Sequence, residues 1–218
     1  MENITFSDIA IVACGTMNLE LNHLKKEGFL DAQKIYYTKP GLHQNCNELE
    51  KQLIERITMA KEKADKVIVV YGGKFCYVNV DEPTRTMQKV IEEQGSGVGR
   101  VQATHCMDMI AGETEREQIA QELAGGEKIW WMTPGWMEYR HQVFEGWDKG
   151  IANENFPNTR AAPWFLTASD TSINTWLKSR RSSWNTAIGW GSPYRATPSP
   201  WTGSNLFSWT RPRSWKAE

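Results

Sequence analysis

Ile9-Ala10-Ile11-Val12-Ala13-Cys14-Gly15-Thr16 and Lys66-Val67-Ile68-Val69-Val70-Tyr71-Gly72-Gly73 decide the fold. Each carries a short unbroken apolar run, stops at small residues, and leads into polar sequence. Runs of this kind read as strands covered on both faces, the pattern of a parallel sheet with crossover helices. Outward from them, three similar stretches, Lys34–Thr38, Arg100–Thr104 and Lys128–Met132, supply further strands. Between the second and third, Leu49, Leu53, Ile57, Ala60 and Ala64 recur every three or four residues, which predicts a helix, with Asn47 and Glu50 placed as a capping box. The remaining crossovers are expected near Met17–Glu27, Glu82–Gln94 and Asp108–Ala124. A last helix is expected where Thr133 caps and Pro134 occupies the first turn. The expected fold is a three-layer α/β domain over residues 1–157, with a parallel sheet of about five strands in a flavodoxin-like or Rossmann-like arrangement.

The chain of 218 residues can bury a core without staples. Its net charge of −1 gives no footprint for nucleic acid or anionic lipid, and its apolar runs fall far short of a membrane span. Met1-Glu2-Asn3-Ile4 does not resemble a secretion signal, so a cytoplasmic location and free thiols are expected.

The four cysteines, Cys14, Cys46, Cys76 and Cys106, each follow one of the first four strands, and His43 and His105 share that position. In open α/β sheets the loops beyond the carboxyl ends of the strands form the binding crevice. In a flavodoxin-like order, strands one and three are neighbours about 5 Å apart, so Cys14 and Cys76 would meet, with Cys106 one strand further. Thiolate and imidazole donors suit zinc or another thiolate-bound metal. The candidate ligands are Cys14, Cys76, Cys106 and His105. His105 and Cys106 are adjacent and point opposite ways in an extended strand, which makes His43 the substitute. Two other readings stay open: a reactive thiol, with His105 taking its proton, and cysteines that only pack. No C-x-x-C pair is present.

Glycines mark the same rim. Gly15 with Thr16, and Gly72 with Gly73, follow strands and could present backbone N–H groups to an anion or a cofactor edge. Thr133, Gly135 and Trp136 close the fifth strand, where Trp136 could wall a pocket. Neither glycine pair matches G-x-G-x-x-G or a Walker loop.

Beyond Pro157 the character changes. Residues 158–218 carry 18 Ser/Thr, 7 of the 11 Trp, five Leu/Ile and no Val, with 8 Lys/Arg against 2 Asp/Glu. Residues 1–157 hold the other 17 basic and 24 acidic residues. Joining the third base of each codon to the first two of the next allows E-Y-S-D-W-M-G-I-P from Trp184 to Pro193. From Thr197 to Lys216 it allows P-V-S-L-D-R-F-K-S-L-L-L-D-Q-A-A-K-L-E, which has helical apolar spacing. The segment is therefore expected to be an irregular, out-of-frame tail, against the alternative of a genuine Trp-rich tail or binding surface. The coding DNA read in all frames across Phe156–Thr159 decides between them.

Taken in order, Ile11-Val12-Ala13-Cys14-Gly15-Thr16, His43, Tyr71-Gly72 with Cys76, His105-Cys106 and Thr133-Pro134-Gly135-Trp136 resemble the family called domain of unknown function sixteen thirty-eight, over about residues 8–157. Usual members place a Gly-rich turn around the third-strand cysteine, where this chain has Lys74-Phe75-Cys76-Tyr77-Val78. They also continue past Thr-Pro-Gly-Trp to a motif like D-W-x-G-I-P, which the shifted frame recovers. The resemblance implies an anaerobe's protein, with some members encoded near corrinoid-dependent methyltransferases. It thus implies a corrinoid as a second candidate cofactor and a methyltransferase or corrinoid protein as partner. The function expected is a metal- or metallocofactor-binding accessory protein linked to corrinoid or one-carbon metabolism. The alternatives are a thiol-dependent enzyme of methyl or acyl transfer and a small-molecule sensor.

Overall fold

The computed structural model describes residues 6–73, 76, 79, 81–124, 131–148, 150, 151, 154, 164 and 165. Four parallel strands, β1 (Ile9–Ala13), β2 (Lys34–Tyr37), β3 (Lys66–Val70) and β4 (Val98–Arg100), form one sheet in the order β2-β1-β3-β4. Ala10 faces Lys34 on one side of β1 and Val67 on the other, so β1 is central. The order is that of the flavodoxin-like class, with the change of direction between β1 and β3.

Alternation along the central strands builds two cores. Ala10, Val12, Val67 and Val69 point to one face, where Leu49, Leu53, Ile57 and Ala60 of α2 (Cys46–Lys61) and Val90 and Ile91 of α3 (Met87–Glu92) cover them. Ile11, Ala13 and Val70 point to the other, against Leu21 and Leu24 of α1 (Asn18–Lys26) and Ile110. A strand period of two divides an unbroken apolar run between two layers of helices, which gives the three-layer class.

Several expected elements shift. The helix over Leu49–Ala60 begins at Cys46, because a 3-10 turn at Leu42–Gln44 leaves Asn45 outside helical geometry. Asn45 Oδ1 accepts the Glu48 N–H at 3.2 Å, so Asn45, not Asn47, is the cap. Glu50 is turned to Arg85, whose guanidinium also pairs with Glu93 and ties α2 to α3. The fourth strand pairs over Val98–Arg100 rather than Arg100–Thr104. It stops there because the Arg100 guanidinium folds the next residues back, donating to the carbonyls of Tyr71, Val101 and Ala103 at 2.9–3.1 Å. The crossover expected at Asp108–Ala124 is a 3-10 turn at Cys106–Met109 followed by α4 (Glu113–Ala124).

Among the described residues the main sheet has four strands, not five. β5 (Trp131–Met132) pairs with β6 (Trp164–Phe165) in a separate two-stranded parallel ladder. The end of β5 behaves as expected. Thr133 Oγ1 accepts the Trp136 N–H at 3.1 Å, and Pro134 opens α5 (Pro134–Glu138), which leads into α6 (Arg140–Val143). Lys128–Trp130 and the tail of 158–218, apart from 164 and 165, lie outside the described residues. No helix among the described residues is long and apolar enough to cross a membrane.

Candidate functional site

Cys14 ends β1. Its N–H still reaches the Val70 carbonyl at 3.4 Å, and the next residues turn as a 3-10 helix, Gly15–Met17. The turn is possible because Gly15 lies against the Thr38 carbonyl and Pro40, where no Cβ fits. Cys14 Sγ and Thr16 Oγ1 share a hydrogen bond of 3.0 Å. Tyr71, only 3% exposed, has its hydroxyl bonded to Thr38 Oγ1 and directed to Cys14. Burial pushes the Cys14 thiol above its ordinary value, while the hydrogen bonds from Thr16 and Tyr71 oppose that rise.

Cys76 lies beyond β3 and Cys106 opens the turn beyond β4. Gly72 makes their approach possible: a Cβ there would stand 2.5 Å from His105 Cα and 2.7 Å from Cys76 Sγ. The backbone N–H groups of Gly72 and Cys106 hydrogen-bond to the Cys76 sulfur. Burial, then the Cys14 charge, pushes the Cys76 thiol to about 11, with Arg100 acting downward. Burial raises Cys106 still more strongly, followed by the charges of Cys76 and Cys14. The three thiols therefore share one neighbourhood, and each is protonated at neutral pH.

The two histidines have partners of their own. The main electrostatic neighbours of His105 are Asp108 and Arg116, and burial leads in lowering its imidazole. Asp108 accepts the N–H groups of Thr104 at 2.9 Å and His105 at 3.2 Å, and meets Arg116 at 2.7 Å. His43 stacks on Trp136, with ring centroids 5.4 Å apart and planes 9° from parallel, and burial lowers its pKa. Among the described residues, no group of three or more His, Cys, Asp or Glu side chains is arranged to hold a metal ion. Cys46 packs against the α2 face of the core.

Most of the rim glycines already have their backbone engaged. The Gly72 N–H goes to Cys76, Gly73 donates to the Ala103 carbonyl at 2.9 Å, and Gly135 donates to Glu20 at 3.4 Å. Gly73 also lies under Arg100, with Nη2 2.7 Å from where its Cβ would be.

Asp108 carries a prediction. Burial would raise its carboxyl, but Arg116, His105 and the two N–H groups outweigh that and hold it below its ordinary 3.8. A depressed folded-state pKa contributes stability above the unfolded value that is lost as pH falls through the folded one. Asp108→Ala should cost about 2 kcal/mol at neutral pH. The deficit should shrink below pH 3.8, as read from urea midpoints across pH.

Two residues that matter here were missed by sequence reasoning. Arg100 looked like the start of a strand and is the clamp between the loops after β3 and β4. Glu20 of α1, which the sequence reading did not single out, is only 4% exposed. Its Oε1 accepts the Gly135 N–H, while Oε2 is buried with no hydrogen-bond partner among the described residues. Burial raises its pKa, and its charge acts on both Cys14 and Cys106. Only the spacing of Glu20 beside Met17, Leu21 and Leu24 on the inward side of the helix hinted at this.

The fold and rim define an α/β protein with three largely buried thiols beyond the carboxyl ends of its neighbouring strands β1, β3 and β4. The chain belongs to the family described as Protein of unknown function (DUF1638), which it matches over residues 37–169. That match covers more than half of the chain, begins later than the residues that first carried the likeness, and runs past Pro157. No curated protein and no solved structure matches it.

Proposed function

We propose that this chain is a binding protein for a thiophilic metal ion or a metal-bearing cofactor, held by Cys14, Cys76 and Cys106. The observation that supports the reading is the proximity of three thiols from three separate βα units: the Cys14 charge raises the Cys76 thiol, and both act upward on Cys106. Elevated pKa values disfavour a free thiolate nucleophile, because catalytic cysteines work from lowered ones. A metal reverses that logic: it deprotonates coordinating thiols on binding, so sulfurs that are neutral without it become ligands with it. The thiols must then close on the ion from their present positions. Zinc is the simplest candidate by donor chemistry. A corrinoid is the candidate the family likeness adds, together with a role beside a methyltransferase or corrinoid protein.

The test is elemental analysis of the full chain purified anaerobically, before and after reconstitution with zinc, and separately absorbance after gel filtration with cobalamin. One of the two is expected at near-stoichiometric amount. Neither being retained would leave the cysteines with a packing role.

A further inference from the structure

We propose that Cys76 and Cys106 are a redox pair that a hydroperoxide closes into a reversible disulfide across the loops after β3 and β4. The bond itself does not depend on what the reduced thiols hold; only its effect, withdrawing two sulfurs from the metal, rests on the reading above.

The two loops run side by side at the level of their backbones. Gly73 donates to the Ala103 carbonyl at 2.9 Å, which carries the contact between β3 and β4 past their last paired residues. One residue earlier, the place of a Gly72 Cβ lies 2.7 Å from the Cys76 sulfur, 2.5 Å from His105 Cα and 2.8 Å from the Thr104 carbonyl oxygen. The sulfur therefore rests against the backbone that enters Cys106, and the Cys106 N–H hydrogen-bonds to it. Neighbouring strands stand about 5 Å apart, within the Cα separation that a disulfide spans, so closing the bond asks for rotation of two side chains rather than movement of the sheet. Both thiols are half-buried, within reach of a small oxidant. The other cysteines are engaged elsewhere. Cys14 shares its hydrogen bond of 3.0 Å with Thr16 Oγ1, and Cys46 follows the edge strand β2, which β1 separates from β3.

Cys76 is the attacking sulfur, because the N–H groups of Gly72 and Cys106 and the Arg100 guanidinium all favour its thiolate. That thiolate takes one oxygen of the hydroperoxide: an S–O bond forms, the O–O bond breaks, and the other oxygen leaves as water or an alcohol. The Cys106 sulfur then displaces the oxygen from Cys76, so that an S–S bond forms, the S–O bond breaks and water leaves. Two thiols have given up two electrons and two protons, and exchange with a small thiol restores them. Burial makes the thiolate scarce, so the pair closes slowly, unlike a catalytic cysteine.

The test treats the reduced full chain, freed of metal by a chelator and of excess reductant, with hydrogen peroxide. Denatured afterwards, the wild type should have lost two of its four free thiols, and peptide mapping should join Cys76 to Cys106 by a bond that dithiothreitol reverses. In Cys106→Ser the reaction should stop one step earlier, with Cys76 as a sulfenic acid that dimedone labels. Four thiols retained, oxidation past the sulfenic acid with no bond formed, or a bond from Cys76 to Cys14 instead would each overturn the pair. Because no metal is present, these outcomes leave the metal reading to its own test.

Discussion

Gly135→Ala should destabilise the chain by about 3 kcal/mol, at the upper end of what overpacking a fixed site costs. The added methyl would overlap the Thr16 carbonyl oxygen and stand 2.6 Å from its carbon. Neither partner can yield cheaply. Thr16 is 2% exposed, and the glycine before it is pressed on the Thr38 carbonyl and Pro40, so the turn cannot retreat. The remaining movement belongs to α5, and it would take the Gly135 N–H away from Glu20 and Trp136 away from His43. Loss of near-ultraviolet circular dichroism from the displaced Trp136 should accompany the lower urea midpoint. Gly112→Ala is the control, since no atom lies within 4 Å of where its Cβ would be, and it should stay within about 0.5 kcal/mol of wild type. Equal midpoints for the two variants would mean that α5 does not rest on Thr16.

That contact also shows which parts of this molecule were legible in its sequence. β1 and β3 could be read almost to the residue because a strand buried on both faces has no choice but to be apolar throughout. β4 was misplaced because its three residues include Gly99 and Arg100, and what ends it is a side chain folding back onto carbonyls, which no periodicity records. That Cys14, Cys76 and Cys106 follow neighbouring strands was legible because strand ends are set by topology, and the order β2-β1-β3-β4 places β1, β3 and β4 side by side. The histidines were not, since their direction depends on a stack with Trp136 and an ion pair between Asp108 and Arg116. Glu20 was hidden for the opposite reason: its partner, Gly135, lies 115 residues away, and a buried acid looks like an exposed one until the helix that covers it is in place.

Zinc should raise the apparent stability of the reduced full chain by about 4 kcal/mol when free metal is held near a thousand times the dissociation constant, because a ligand that binds only the folded state stabilises it by mass action. A chelator should return the unfolding midpoint to its starting value. Cys14→Ser, Cys76→Ser and Cys106→Ser should each remove most of the shift. Comparing each variant with and without zinc separates this loss from any cost of placing a hydroxyl among apolar neighbours. Binding must displace thiol protons, and burial holds the Cys76 thiol near 11, so the shift at fixed total zinc should grow as pH rises from 6 toward 9. A site built on the imidazoles would level off once they are neutral, and burial has already pushed both His43 and His105 below their ordinary 6.5. The pH trend therefore discriminates between sulfur and nitrogen ligation without relying on any single variant. A zinc shift that survives in the triple serine variant would place the metal away from these thiols, and a wild-type chain indifferent to zinc and cobalamin alike would leave the three cysteines as packing groups.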